Sequence, residues 1–67
     1  MTPDHLKRTR QQLGLTADGL AKLVRVSSGR IVRRWEAGNN EIPGPVAVLL
    51  ELIDKSAEAR RLLLPRA

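Results

Sequence analysis

The chain has 67 residues and no cysteine, and its 12 Lys and Arg residues against 7 Asp and Glu give a net charge of +5. This length allows one small domain, and the lack of cysteine excludes a disulfide framework and a thiolate metal site. The longest apolar run, VAVLL at 46–50, is far shorter than the roughly 20 residues that span a membrane. The N-terminus also lacks the apolar stretch of a signal peptide, so we expect a cytoplasmic protein without membrane association.

Positive charge is concentrated in the first half of the chain. Residues 1–38 contain eight Lys and Arg against three Asp and Glu, whereas residues 39–67 contain four of each. A basic surface of this kind favours an anionic partner, and nucleic acid is the expected one. The alternative is an ordinary solvated surface that only keeps the protein soluble.

The first residues of the chain carry the signals that begin a helix. Thr2 is a favourable N-cap and Pro3 suits the first helical position, so a first helix is predicted to run to about residue 13. Gly14 ends it, because glycine readily adopts the left-handed conformation that terminates many helices. Thr16 is predicted to cap a second helix. The apolar face of that helix consists of Leu20, Ala21 and Val24.

The segment RVSSG at 25–29 is a predicted turn, and it leads into a third helix that has two different faces. This helix is expected to begin near Ser28–Gly29 and to end at Gly38. On a helical wheel three arginines fall within about 100° of one another, opposite the apolar side chains. The arginines are Arg30, Arg33 and Arg34, and the apolar side chains are Ile31, Val32 and Trp35.

Trp35, the only aromatic residue of the chain, is therefore predicted to anchor the third helix while the arginines face outward. No acidic residue lies four positions from any of these arginines to neutralise it. The guanidinium group is a planar fork that can pair with the edge of guanine or with phosphate. The alternative interpretation is a solvated helix face with no partner.

Two further helices are predicted in the second half. Pro45 starts the fourth, which spans 45–55, and Ser56 caps the last, which spans 57–64 and is stopped by Pro65. No run alternates long enough to predict a strand. We therefore expect an all-α bundle of about five short helices. In the fourth helix, the residues expected in the core are Val46, Leu49, Leu50 and Ile53.

The last two helices carry more apolar side chains than one small core can bury. We expect this surplus to form the interface of a symmetric homodimer. The alternative is that the last helix folds back over the core. The residues predicted at the interface are Val48, Leu52, Leu62 and Leu63.

The segment LGLTADGLAKLVRVSSGRIVRRWEAG resembles the Cro/C1-type (XRE-type) helix-turn-helix family of bacterial and phage regulators. The resemblance covers roughly residues 6–53, and its most specific part is W-E-x-G after a basic helix. It implies a lambda repressor-like fold and a homodimer that binds an inverted repeat in double-stranded DNA and represses transcription. The tail EIPGPVAVLLELID also resembles small phage-type repressors encoded beside anti-CRISPR genes. The matching residues are Arg10, Leu15, Thr16, Leu20, Ala21, Val24, Val26, Ser27, Val32, Trp35, Glu36 and Gly38.

The resemblance also implies roles for individual residues. Arg10 and Glu36 are expected to form an internal salt bridge; the alternative is that Arg10 contacts a phosphate. The expected base contacts are Ser28, Gly29, Arg30, Arg33 and Arg34. The expected contacts to the DNA backbone are Thr16, Ala17, Arg25, Ser27, Asn39 and Asn40, the first two through the free amides at the start of the second helix.

Three departures from the family pattern affect these roles. The family usually has glutamine at the position of Ala17 and glycine at the position of Arg25, and one residue is inserted in SSGR before the third helix. A non-glycine residue at position 25 implies either another path for the turn or backbone strain. The inserted residue leaves open which side chains the first turn of the third helix presents.

Catalysis and cofactor binding are not expected. His5 has no second histidine or cysteine near it in sequence, so it does not indicate a metal site. No glycine-rich phosphate loop is present, and no small-molecule ligand is expected. The alternative to a DNA-binding regulator is an antitoxin-type protein-interaction module, whose leucine-rich C-terminus covers a partner while DNA binding is secondary.

Overall fold

Five helices joined by short connections make up the computed structural model, which describes residues 1–64. The predicted all-α class is confirmed for these residues, which contain no strand. The prediction that Pro65 stops the last helix lies outside the described residues. The helices are α1 (Pro3–Gln12), α2 (Ala17–Val24), α3 (Gly29–Glu36), α4 (Gly44–Lys55) and α5 (Ala57–Leu63).

The predicted caps form at three of the helix N-termini. Thr2 Oγ1 accepts from the His5 amide at 3.1 Å, Thr16 Oγ1 accepts from the Gly19 amide at 2.9 Å, and Ser56 Oγ accepts from the Ala59 amide at 3.1 Å. Each bond satisfies one of the amides that a helix start leaves without an internal partner. These caps therefore explain why α1, α2 and α5 begin where the sequence predicts.

Glycine ends two of the helices. Gly14 follows α1 with φ 72° and Gly38 follows α3 with φ 79°, a conformation that residues with a Cβ rarely adopt. The fourth helix begins at Gly44, one residue before the predicted Pro45. Proline is tolerated at either of the first two helical positions because the amides there have no partner within the helix.

The core lies where the first four helices meet. The helix α3 packs against α1 and α2, and α4 packs against α1 and α5. Arg60 also holds α5 against α4, since its guanidinium donates to the carbonyl oxygens of Ile53 and Asp54 at 2.9 and 2.8 Å. Within residues 1–64, no helix is long and apolar enough to cross a membrane. The fully buried side chains are Leu6, Thr9, Leu20, Val32, Leu50 and Ile53.

Four large apolar side chains remain at the surface of α4 and α5, although α5 does fold back against α4. Val48 is 66% exposed, Leu52 52%, Leu62 73% and Leu63 43%. These are the four residues that the sequence analysis assigns to a dimer interface. We call this group the leucine surface.

Candidate nucleic-acid interface

The third helix has one buried face and one charged face, as its sequence pattern predicts. Val32 is fully buried and Trp35 is only 3% exposed, so the inner face is held in the core. The opposite face carries Arg30, Arg33 and Arg34, all exposed; we call it the arginine face. Within residues 1–64 none of these guanidinium groups forms a hydrogen bond or an ion pair. Three positive charges are therefore free to meet an anion.

The connection between α2 and α3 consists of residues 25–28 and reverses the chain at a strained residue. Arg25 has φ 65° and ψ 38°, which is the left-handed conformation. This conformation costs a residue with a Cβ roughly 1–2 kcal/mol. The amide of Val26 donates to the Ala21 carbonyl oxygen at 3.0 Å, which closes the end of α2. The side chains of Arg25, Ser27 and Ser28 are exposed beside the start of α3.

The N-terminus of α3 is held by a carboxylate from the neighbouring helix. Asp18 Oδ1 accepts from the Gly29 amide at 3.1 Å, whereas Ser28, at the N-cap position, makes no side-chain cap bond. A Cβ at position 29 would overlap the Asp18 carboxylate, and it would lie 2.8 Å from the Asp18 backbone nitrogen. Gly29 thus lets α2 and α3 approach each other closely.

This contact changes the interpretation of two predicted DNA contacts. Gly29 is buried and its amide is already bonded to Asp18, so it is not part of the exposed face on which the sequence analysis placed it. Ala17 is 6% exposed and packs in the core. The N-terminal turns of α2 and α3 pack against each other, which removes Gly29 from the exposed face. The contact expected at Ala17 is through its backbone amide, and it stays a prediction.

An ion pair joins α1 to the end of α3. Arg10 Nε donates to Glu36 Oε2 at 2.7 Å and Arg10 NH2 donates to Glu36 Oε1 at 3.1 Å, the two-bond geometry favoured between guanidinium and carboxylate. Arg10 NH1 also donates to the Leu15 carbonyl oxygen at 3.0 Å. The hydrogen bonds to Glu36 raise the pKa of Arg10 above its ordinary value. Arg10 therefore acts inside the protein, and its guanidinium is not part of the arginine face.

The remaining predicted backbone contacts lie at the two ends of the helix-turn-helix segment. The Thr16 side chain is exposed, although its oxygen already caps α2. Asn39 and Asn40 are exposed after α3, and their backbone amides donate to the Arg34 carbonyl oxygen at 2.9 and 3.4 Å. Since these bonds use only the backbone, both asparagine side chains are available at the surface.

The described residues also line a groove outside the arginine face. The groove, of about 520 Å³, runs between α2 and the end of α5. It combines an apolar floor with two basic side chains and has no acidic or histidine side chain among its lining residues. Nor does any group of three or more His, Cys, Asp or Glu within residues 1–64 have the arrangement of a metal site. The groove is lined by Gly19, Lys22, Leu23, Arg25 and Leu63.

The comparisons with known proteins do not assign the chain to a family. No protein-family model matches it, and no curated protein does. The resemblance to XRE-type regulators therefore stays a prediction that depends on the residues quoted above. Any functional assignment has to be argued from the arginine face and the helices that hold it.

Proposed function

We propose that this chain is a sequence-specific DNA-binding repressor of transcription that acts as a homodimer on an inverted repeat. The observation that carries the proposal is the arginine face. Its three guanidinium groups have no partner within residues 1–64, and they lie on a helix anchored by a buried tryptophan. The preceding short helix and four-residue connection match the arrangement in which a second helix enters the major groove. In this proposal α3 is the recognition helix.

The arginine face supplies two kinds of contact. An arginine that pairs with guanine O6 and N7 discriminates against another base by about 1–3 kcal/mol. An arginine that meets a phosphate contributes affinity without sequence preference, because it releases counterions from the DNA. The other exposed side chains beside α3 are proposed to position the protein on the backbone. They are Thr16, Arg25, Ser27, Asn39 and Asn40.

Two copies are needed to read a full site. The chain measures 32 × 20 × 18 Å and presents one recognition helix. Successive half-sites on one side of B-DNA are about 34 Å apart, so a second copy has to supply the second helix. The leucine surface, on helices that follow α3, is proposed to join the two copies about a twofold axis.

Repression follows if the inverted repeat overlaps a promoter, because the bound dimer then excludes RNA polymerase. We propose that the regulated promoter is the one that drives this chain's own transcription. The resemblance to small phage-type repressors supports this form of autoregulation. Occupancy of the operator is then set by the concentration of the protein, through its dimerisation and binding equilibria.

The first test is a titration of the purified protein against the DNA upstream of its own reading frame, with a scrambled duplex alongside, at two salt concentrations. We expect the upstream DNA to bind at least about a hundredfold more tightly than the scrambled duplex, as specific sites do. A footprint should cover an inverted repeat. Equal, weak and steeply salt-dependent binding to both duplexes would contradict sequence specificity.

Substitutions on the arginine face provide the matched comparison. We expect Arg33→Ala and Arg34→Ala each to abolish specific binding while the protein remains folded and dimeric, because both side chains are exposed and unpaired within residues 1–64. Arg61→Ala removes the same charge from an exposed position on α5 and serves as the control. If all three variants weaken DNA binding equally, the affinity depends only on net charge and α3 is not the recognition helix.

The exposure of the leucine surface also favours a second function, that of an antitoxin-type module whose main partner is another protein. Under that function Leu52→Glu or Leu63→Glu destroys activity in the cell even where DNA affinity is intact. Under the repressor function the same variants act through loss of the dimer and weaken operator binding. Measuring DNA affinity and activity on one set of variants therefore separates the two functions.

A further inference from the structure

Asp18 serves two helices at once. It lies in the first turn of α2, and its carboxylate accepts the amide of Gly29, the first residue of α3, 11 positions later in the chain. Ser28 leaves the N-cap of α3 without a side-chain bond, so Asp18 provides from α2 the cap that α3 lacks locally. The inner face of α3 is held in the core by Val32 and Trp35, and this bond ties its first residue to α2 as well. The Asp18–Gly29 bond is therefore one of the constraints that orient the arginine face.

The negative charge of Asp18 is not needed for this bond, because a neutral acceptor would cap the helix comparably well. Asp18 is an exposed residue, and its carboxylate forms no ion pair within residues 1–64. It lies beside the N-terminus of α3, the end of a recognition helix that meets the base edges. A phosphate that approaches the amides at this end meets a fixed negative charge instead of free donors.

We propose that Asp18 is a positioning and specificity-determining residue for DNA. Its hydrogen bond fixes the start of α3, and its charge opposes binding that depends on phosphate alone. This inference rests on the proposed DNA-binding function. It assigns Asp18 a role opposite to that of Thr16 two residues earlier, since Asp18 repels the DNA backbone that Thr16 is proposed to contact. Nonspecific complexes are held by phosphate contacts alone and bring the DNA backbone nearer to Asp18 than complexes whose register is fixed by base contacts, so the repulsion lowers nonspecific affinity more.

The test compares Asp18→Asn, which keeps the acceptor and removes the charge, with Asp18→Ala, which removes both. Glu58→Gln is the control, because it removes one negative charge from the first turn of α5. Affinities for the upstream and scrambled duplexes are measured by fluorescence anisotropy at several salt concentrations. Melting temperatures are measured on the same samples.

We expect Asp18→Asn to bind the scrambled duplex up to about fivefold more tightly, the effect of removing one like charge that lies close to a phosphate in water. The affinity of Asp18→Asn for the upstream DNA should increase less. The ratio of upstream to scrambled affinity should therefore fall, while the melting temperature stays that of wild type. Asp18→Ala should lower both the melting temperature and the ratio, because the start of α3 is no longer fixed. Glu58→Gln should leave the ratio unchanged.

Three different results would count against the inference. If wild type discriminates between the duplexes and Asp18→Asn keeps that ratio, the charge of Asp18 does not determine specificity and the proposed function stands. If wild type binds both duplexes equally, the proposed function fails and the role of Asp18 fails with it. If Asp18→Ala keeps both the affinity ratio and the melting temperature of wild type, Asp18 does not position the start of α3.

Discussion

Arg25 keeps a left-handed backbone at an exposed position, where a glycine would be free of strain. Relief of that strain is worth roughly 1–2 kcal/mol, and glycine gives back about 0.5–1 kcal/mol in lost chain entropy. Arg25→Gly should therefore raise the free energy of unfolding by about 0.5–1 kcal/mol, or the melting temperature by about 2–8 °C. Thermal denaturation followed by circular dichroism measures this shift.

The same variant should bind DNA more weakly, because it removes a positive charge beside the start of α3. Arg25→Lys is the matched control, since it keeps both the charge and the strain and should resemble wild type in both measurements. If Arg25→Gly is more stable than wild type and binds DNA more weakly, the strained backbone at position 25 is explained by the DNA contact of the arginine side chain. A lower melting temperature for Arg25→Gly would contradict the account of strain.

The Arg10–Glu36 pair is a residue-scale link between two helices. Its side chains are only 16% and 9% exposed, so removing one partner leaves a largely buried charge. Glu36→Ala should lower the free energy of unfolding by about 3 kcal/mol, which corresponds to more than about 10 °C in melting temperature. Arg8→Ala, an exposed neighbour on α1, should change stability by less than about 0.5 kcal/mol. Similar losses in the two variants would argue against a special role for the pair.

At the scale of elements, Gly29 tests how closely α2 and α3 pack. Helix propensity alone predicts that Gly29→Ala stabilises α3 by about 1 kcal/mol. The structure predicts the opposite sign, because the added Cβ would lie 2.8 Å from the Asp18 nitrogen and 3.0 Å from the Ala17 carbonyl carbon. We expect a loss of about 1–3 kcal/mol, as for other overpacked sites, measured by urea denaturation. Gly44→Ala is the control, since nothing lies within 4 Å of its added Cβ, and it should be neutral or stabilising.

The elements that sequence predicts well are those whose signals are local. Thr2, Thr16 and Ser56 fix three helix starts through bonds to amides three residues away, so the pattern alone suffices. The two faces of α3 likewise follow from spacing along one helix. The Asp18–Gly29 bond joins residues 11 positions apart. In the sequence Asp18 resembles any acidic residue in the first turn of a helix, so nothing there predicts this bond. The partner of Asp18 depends on how two helices pack, which no local pattern specifies.

For the whole molecule, charge and apolar surface are separated along the chain. The arginine face belongs to the half with a balance of +5, whereas the leucine surface belongs to the half whose charges cancel. Two copies that meet through the leucine surface therefore add little charge repulsion at their contact. Their arginine faces remain free, and together they double the number of phosphate contacts and steepen the salt dependence of binding.

The last prediction concerns this association. Leu52 is 52% exposed, and an added carboxylate there would be buried without a partner at a dimer contact. We expect Leu52→Glu to shift the protein to monomer in sedimentation equilibrium while circular dichroism keeps its helical content. Gln11→Glu adds the same charge on the exposed side of α1 and should stay dimeric. Because one copy presents one α3, the Leu52→Glu monomer should also protect at most one half-site in a footprint. A Leu52→Glu variant that remains dimeric would place the contact between copies elsewhere on the surface.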